Sequence, residues 1–136
     1  MIHPLVRAAF AKKIRWQPSG MSRGRKDRLF VLRVRDLDAA WRRNPQYIAP
    51  GDSGMTGKFA KLRQYIDDTA EPVPLDAPEV AWQEWDQGIG FIDGRHRAAL
   101  VRDLGADRIM VAVPPEQADE FQTNTKAKPV SGPTTL

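Results

Sequence analysis

The sequence predicts a domain of the α+β class, and residues 88–113 carry most of that prediction. In residues 88–93, Ile and Phe are mixed with glycine and polar residues as in a strand, and Asp93-Gly94 is typical of a tight turn. Apolar residues then recur at three-residue steps, which indicates a helix: Ala98, Val101 and Leu104. Gly105 is the usual left-handed helix stop, and the β-branched run at 109–113 indicates a short buried strand.

A hairpin that overlaps the start of this run is the second observation. From residue 79 onward, Val80, Trp82 and Trp85 are interspersed with polar residues, which predicts an edge strand whose partner is residues 89–93. The turn of the hairpin is expected at residues 84–88. Adjacent strands followed by a helix and a further strand predict the α+β class.

Length and composition predict one folded domain. The chain has 136 residues, of which 41% are hydrophobic, enough to bury a single core. No apolar stretch is long enough to span a bilayer and the first residues do not resemble a secretory signal, so a cytoplasmic protein without a membrane partner is expected. We divide the chain into a basic N-terminal arm and linker (1–28), a folded domain (29–121) and a flexible C-terminal tail (122–136).

The N-terminal arm is strongly basic. Residues 1–28 contain eight Lys or Arg residues and a single acid, a net charge of +7, whereas the whole chain carries +4. A short helix is expected over residues 4–16, followed by a flexible polar linker. Such an arm can neutralise the phosphates of DNA without reading its sequence. The candidate nucleic-acid ligands are Arg7, Lys12, Lys13, Arg15, Arg23, Arg25 and Lys26. The alternatives are a solvated tail and a docking segment for an acidic protein partner.

The segment between residues 38 and 57 is expected to be mostly irregular. Asp38 is a suitable N-cap for a short turn that contains Trp41 and ends at Pro45. Residues 48–57 are rich in glycine and long enough to move, so they are either a lid over a ligand or a plain surface connection. Beyond the predicted last strand, residues 116–121 are expected to form one helical turn.

The predicted helix start at Gly94 is the best candidate for a binding site. A helix N-terminus offers unpaired N–H groups and a partial positive charge, and Arg95, His96 and Arg97 add basic side chains there. The combination suits an anion, above all a phosphate. The helix dipole is expected to lower the pKa of His96, which then binds phosphate, carries a proton or only packs. Arg97 either grips phosphate or pairs with Asp93 or Asp103.

Asp93 and His96 are the candidate catalytic residues. Asp93 is the sole acid of the turn, and it either contributes one carboxylate to Mg²⁺ or accepts N–H bonds within the turn. Asp103 is expected to be a solvated residue at the helix end. No zinc-type ligand spacing, nucleophile elbow or P-loop occurs in the sequence.

The pattern of residues 88–113 resembles the signature of the ParB/sulfiredoxin superfamily. It consists of a strand, the Gly-Arg-His-Arg-Ala-Ala turn at 94–99, the Leu-Gly stop and a final strand. Residues 58–66 match the Lys-x-x-x-Leu-x-x-x-Ile spacing of an upstream helix in that superfamily, and residues 30–37 resemble its opening strand followed by Asp-Leu. The resemblance implies a small mixed β-sheet with helices packed on it, and a nucleotide (ATP or CTP, with Mg²⁺) held by its phosphates. By resemblance Lys58, together with Gly94, Arg95, His96 and Arg97, binds the nucleotide.

The chain departs from that superfamily in two respects. Sulfiredoxin activity requires a Cys where this chain has Arg95, and the chain contains no Cys, so that activity is excluded. Partition proteins carry Glu-Arg-Arg after the turn glycine, of which only Arg97 is kept. The sequence also ends soon after the motif, which suggests a stand-alone core domain of plasmid or phage type.

Three functions therefore remain open. The first is a ParB-like phosphate- or nucleotide-binding protein that acts on or with DNA. The second is an enzyme that uses Mg²⁺ at Asp93: an NTPase, a kinase or another phosphotransferase, or a nuclease. The third is a protein-interaction module that has kept the fold without nucleotide chemistry.

Overall fold

The computed structural model describes residues 12–53 and 57–136, and within them it confirms the α+β class. Eight strands form two mixed sheets. The strands are β1 Ile14–Gln17, β2 Arg28–Arg33, β3 Val73–Asp76, β4 Glu79–Gln83, β5 Gly88–Asp93, β6 Arg108–Val113, β7 Lys128–Val130 and β8 Thr134–Thr135. The helices are α1 Gly20–Arg25, α2 Val34–Trp41, α3 Gly57–Asp68, α4 Arg95–Asp103 and α5 Ala118–Thr125, with a 3₁₀ turn at Pro115–Gln117.

The larger sheet has five strands in the order β5-β4-β6-β2-β7. Strands β4 and β6 are parallel, and the other pairs are antiparallel, as in the predicted hairpin of β4 and β5. The smaller sheet has the order β3-β1-β8, with β1 parallel to β3 and antiparallel to β8. The sequence predicted one mixed sheet, whereas residues 12–53 and 57–136 form two.

The core lies on both faces of the central strand β6, in which residues 109–113 are all buried. On one face Phe30 of β2 packs against Phe121 of α5, with ring centroids 5.4 Å apart. Helix α4 buries four small or medium side chains in succession, Ala98, Ala99, Leu100 and Val101, and it also packs against α3. Each fully buried Val, Leu, Ile, Phe or Met side chain stabilises the fold by about 1.5–3 kcal/mol. Burial of these side chains therefore fixes α4 in the core, next to α3.

The predicted end of α4 is confirmed. The helix ends at Asp103, and Gly105 follows in the left-handed conformation with φ of +94°. The Gly105 amide donates to the Arg102 carbonyl (3.0 Å) and the Ala106 amide to the Val101 carbonyl (2.9 Å), the paired bonds of a Schellman motif. Strand β6 then begins at Arg108, one residue before its predicted start.

Two predicted boundaries near the N-terminus are wrong. The helix expected over residues 4–16 lies partly outside the described residues, and its last part belongs to β1, where Ile14 and Trp16 alternate with exposed Arg15. The strand expected over 30–37 ends at Arg33, because Val34, Leu37 and Asp38 are buried at helical spacing in α2. Asp38 is consequently inside a helix and is not an N-cap.

The ends of the predicted folded domain also differ. The linker expected up to residue 28 contains α1 and the start of β2. Residues 122–136, expected to be a flexible tail, complete α5 and then supply β7 to the larger sheet and β8 to the smaller one. Strand β4, expected at an edge, lies between β5 and β6, because β6 pairs with it in parallel.

Candidate functional site

The turn between β5 and α4 depends on a glycine. Gly94 precedes the first residue of α4 with φ of +86°, a conformation that other residues adopt only with strain. A Cβ atom here would also lie 2.9 Å from Pro78 Cα and 2.7 Å from an Arg97 guanidinium nitrogen. The Ala98 amide makes the first bond of the helix, to the Gly94 carbonyl at 3.0 Å. Because the preceding amides lack intrahelical partners, the start of α4 offers N–H donors to a ligand.

Lys58, Arg95 and His96 lie close together where α3 and α4 begin. The Phe59 ring, next to Lys58 in α3, packs against the His96 imidazole with ring centroids 5.2 Å apart. Burial lowers the pKa of His96 below its ordinary value, and the positive charges of Arg95 and Lys58 lower this pKa further. The direction of this shift agrees with the sequence prediction, but its causes are burial and neighbouring charge. The imidazole thus lies within electrostatic range of two cations.

Arg95 is also held by the loop that follows α2. Its guanidinium donates to the Gln46 carbonyl at 3.3 Å and its side chain is half-buried. The Lys58 residue is exposed at the start of α3. One cation is therefore oriented by the protein, and the other is accessible from solvent.

Arg97 lies on the other side of the turn. Its Nε donates to the Asp76 carbonyl at 3.0 Å, and its Nη2 lies 3.2 Å from the carboxylate of Asp93. Of the two roles predicted for Arg97, the structure shows the ion pair with Asp93. These contacts join β3, β5 and α4 around Gly94, so Arg97 fastens the turn on which the site depends.

Asp93, the candidate metal ligand, is otherwise solvent-accessible. Its side chain is 57% exposed and Arg97 is its ion-pair partner. Within residues 12–53 and 57–136, no three His, Cys, Asp or Glu side chains are grouped so as to hold a metal ion. Asp93 can thus offer Mg²⁺ one carboxylate, and the remaining ligands would be phosphate oxygens and water.

The predicted nucleic-acid ligands of the arm have different environments. Arg7 lies outside the described residues. Lys12 Nζ donates to the carbonyls of Ile66, Asp67 and Thr69 at 2.6–3.0 Å, at the negative end of the α3 dipole. Arg25 Nη2 lies 2.7 Å from Glu79 and 3.0 Å from Asp27, and these carboxylates raise the pKa of its guanidinium. Lys12 and Arg25 thus neutralise groups of the protein itself, whereas four cations remain exposed: Lys13, Arg15, Arg23 and Lys26.

Glu79 was missed by the sequence analysis because it appears as a polar residue at the start of a strand. Its side chain is 1% exposed, and it accepts hydrogen bonds from Ser19 (2.5 Å) and Arg25 (2.7 Å). Burying a carboxylate is costly unless charge and hydrogen bonds compensate it. Glu79 therefore fixes the segment around α1 to the larger sheet.

Arg102 was also missed, since its position in the last turn of α4 is typical of a solvated cation. Its guanidinium lies 2.9 Å from Asp38 and 2.9 Å from Asp103, and it lies over the Trp41 ring at 5.8 Å. It also donates to the carbonyls of Ile48 (2.5 Å) and Ala49 (2.9 Å). The prediction of a solvated Asp103 is wrong, because its carboxylate accepts from the Ser53 amide as well as from Arg102.

These contacts bear on the predicted lid. Residues 48–53 are tied to α4 through Arg102 and Asp103, whereas residues 54–56 lie outside the described residues. The loop leads directly to the start of α3, where Lys58 lies. Arg102 therefore holds the described part of this loop against α4.

In the parts of the chain that the structure describes, no helix has the length and apolar character needed to cross a membrane. No family model, curated protein or solved structure matches the chain.

Proposed function

We propose that this protein is a phosphate-binding domain of the ParB/sulfiredoxin type, and that it holds a nucleotide by its phosphates between the starts of α3 and α4. The convergence of Lys58, Arg95 and His96 at two helix N-termini carries this proposal. Each helix start contributes N–H groups and partial positive charge, and the side chains add two full charges. ATP or CTP with Mg²⁺ is the ligand that the resemblance implies.

Arg97 supports this site without being a phosphate ligand in our proposal. Its guanidinium is occupied by Asp93 and by the Asp76 carbonyl. Removing it would disturb the turn as well as any ligand contact, so an Arg97 variant cannot separate the two effects. Lys58 and Arg95 are better test positions.

The first experiment is isothermal titration with ATP, CTP and GTP, each with Mg²⁺. We expect saturable binding of at least one nucleotide, and a loss of about ten-fold or more in affinity for Lys58→Gln and for Arg95→Gln, because each removes a charged hydrogen bond to phosphate. Arg63→Gln is the matched control, since Arg63 is a cation of the same helix that pairs with Asp67 at 3.5 Å. Equal losses in all three variants would indicate a general charge effect and contradict the site.

The titration of His96 provides a second measurement. A bound phosphate favours the imidazolium, so adding nucleotide is expected to raise the NMR-measured pKa of His96 from its lowered value. By linkage, nucleotide affinity should increase as the pH falls from the raised pKa of His96 in the complex through its lowered pKa in the free protein. Lys58→Gln should raise the His96 pKa without ligand. Failure of every nucleotide to bind or to shift His96 would leave the protein-interaction module as the better account.

A further inference from the structure

A row of exposed basic residues crosses one face of the larger sheet. Arg33 of β2 is directly opposite Arg108 of β6. Lys128 of β7 is opposite Val31 of β2, two residues from Arg33, so strand alternation places these three basic residues on the same face. Lys13 and Arg108 both line a groove of about 320 Å³ beside β6. We call Lys13, Arg33, Arg108 and Lys128 the cationic stripe, and all four are exposed.

The stripe is not compensated within the part of the protein that the structure describes. None of its four side chains makes a hydrogen bond or an ion pair there. Other cations of the protein do, such as Arg25, which pairs with Asp27. Asp107 is the one acidic residue that lines the groove. Like charges directly opposite each other on two strands destabilise a sheet. Repulsion between Arg33 and Arg108 thus lowers the stability of the fold, and neither side chain makes a stabilising contact within the described protein.

We propose that the cationic stripe binds the phosphate backbone of DNA. Repeated phosphates supply the row of negative charges that the four cations lack, whatever the base sequence. An acidic peptide fits less well, because the core of a protein interface is enriched in aromatic residues and depleted of Lys. Among the described residues, the large apolar side chains that are exposed belong neither to the groove nor to β2, β6 and β7: Met21, Tyr65, Trp85 and Ile92. This surface does not rest on the proposed nucleotide site and shares no residue with it.

The test is fluorescence anisotropy with a labelled DNA duplex of arbitrary sequence, over a range of salt concentrations. Wild-type protein is expected to bind at low salt, with an affinity that falls steeply as salt increases. Arg33→Gln/Arg108→Gln should weaken binding by about ten-fold or more and reduce the magnitude of the log–log salt slope by about two, because two phosphate contacts are lost. Arg33→Lys/Arg108→Lys should retain most of the affinity, since the charges remain.

Two control variants separate the stripe from other basic regions. Lys61→Gln/Arg63→Gln removes two charges from α3, neither of them in the stripe, and should stay within about two-fold of wild type. Arg23→Gln/Lys26→Gln removes two exposed charges from the N-terminal region, whose cations are the nucleic-acid ligands predicted from the sequence. It should weaken binding less than the stripe variant does if the stripe is the main contact with the phosphates. Thermal unfolding should show that Arg33→Gln/Arg108→Gln is at least as stable as wild type, because a repulsion has been removed. If that variant does not fold, Lys13→Gln/Lys128→Gln tests the two ends of the stripe instead.

Several outcomes would overturn the proposal. They are absence of duplex binding at low salt, unchanged binding by the stripe variants, and an equal loss in the Arg23→Gln/Lys26→Gln control. Stronger binding of poly-glutamate than of the duplex would replace DNA by an acidic protein partner. Failure of the nucleotide titrations would not affect any of these results.

Discussion

At the scale of single residues, Gly94 determines whether β5 can pass directly into α4. Its φ of +86° is unfavourable for any residue with a side chain, and the backbone of Pro78 occupies the space that a Cβ would need. Gly94→Ala is therefore expected to lower the free energy of unfolding by about 2–4 kcal/mol, from backbone strain and overpacking together. Urea denaturation monitored by tryptophan fluorescence measures this loss.

Gly24→Ala is the matched control for that prediction. Gly24 lies within α1, and a Cβ there would have no heavy atom within 4 Å. The alanine should leave stability unchanged or raise it by about 0.5–1 kcal/mol, because alanine loses less backbone entropy in a helix. Similar losses for the two variants would mean that the conformation of Gly94 is not the reason for its presence.

The sequence predicted the roles of some site residues but not of others, and the difference has a physical reason. Gly94, Arg95, His96 and Arg97 belong to one local motif, and the structure shows the Asp93 pairing that was one of two roles foreseen for Arg97. The roles of Lys12 and Arg25 could not be foreseen in this way. Lys12 contacts carbonyls more than fifty residues away and Arg25 contacts Glu79, so both depend on tertiary contacts that no local pattern encodes.

At the scale of elements, Arg102 connects α4, α2 and the loop that leads to α3. The side chains of Arg102 and Asp38 are 9% and 10% exposed. Burial alone would lower the pKa of Arg102, but bonds to Asp103 and Asp38 outweigh it and raise the pKa. Arg102→Met keeps the length and removes every donor, which leaves Asp103 without its cation and Asp38 with only the exposed Arg42. We expect a loss of about 3–5 kcal/mol in the free energy of unfolding.

Arg42→Met is a sensitive control, because Arg42 also pairs with Asp38, at 3.3 Å, yet its side chain is 66% exposed. An exposed ion pair contributes little, so the expected loss is at most about 1 kcal/mol. Chemical denaturation of both variants gives the comparison. A loss for Arg102→Met as small as that of Arg42→Met would show that the loop is not held by this network.

Elements with strong local signals were predicted well. The β4–β5 hairpin, α4 and β6 follow from alternation, three-residue steps and the Gly105 stop, each of which acts within a few residues. The boundary between β2 and α2 was misplaced because no Gly or Pro marks it. Residues 32–35 alternate apolar and charged side chains as a strand does, whereas the Val34 amide donates to the Asp107 carbonyl at 2.9 Å and Val34 begins a helix.

At the scale of the whole molecule, residues 127–136 connect the two sheets. Strand β7 pairs with β2 at the edge of the larger sheet, and β8 pairs with β1 in the smaller one. Pairs between such distant parts of the chain are not visible in a local pattern. The composition of this segment, with Lys, Pro, Ser, Gly and Thr, is also that of a disordered tail, which explains why the sequence predicts one.

Two truncations test whether this segment is structural. Removing residues 131–136 deletes β8 and the pair of bonds between Ile14 and Leu136, at 2.9 and 3.1 Å, so a loss of about 1–2 kcal/mol in the free energy of unfolding is expected. Removing residues 127–136 also deletes β7 and the buried Ala127, which is 3% exposed, and should cost about 3 kcal/mol or more. Denaturant unfolding gives both values, and hydrogen exchange should show protection of the Leu136 amide in the intact protein.

If the segment made no structural contacts, removing it would cost no stability, and both truncated proteins would be as stable as the intact one. The Leu136 amide would then exchange at the rate of an unfolded peptide.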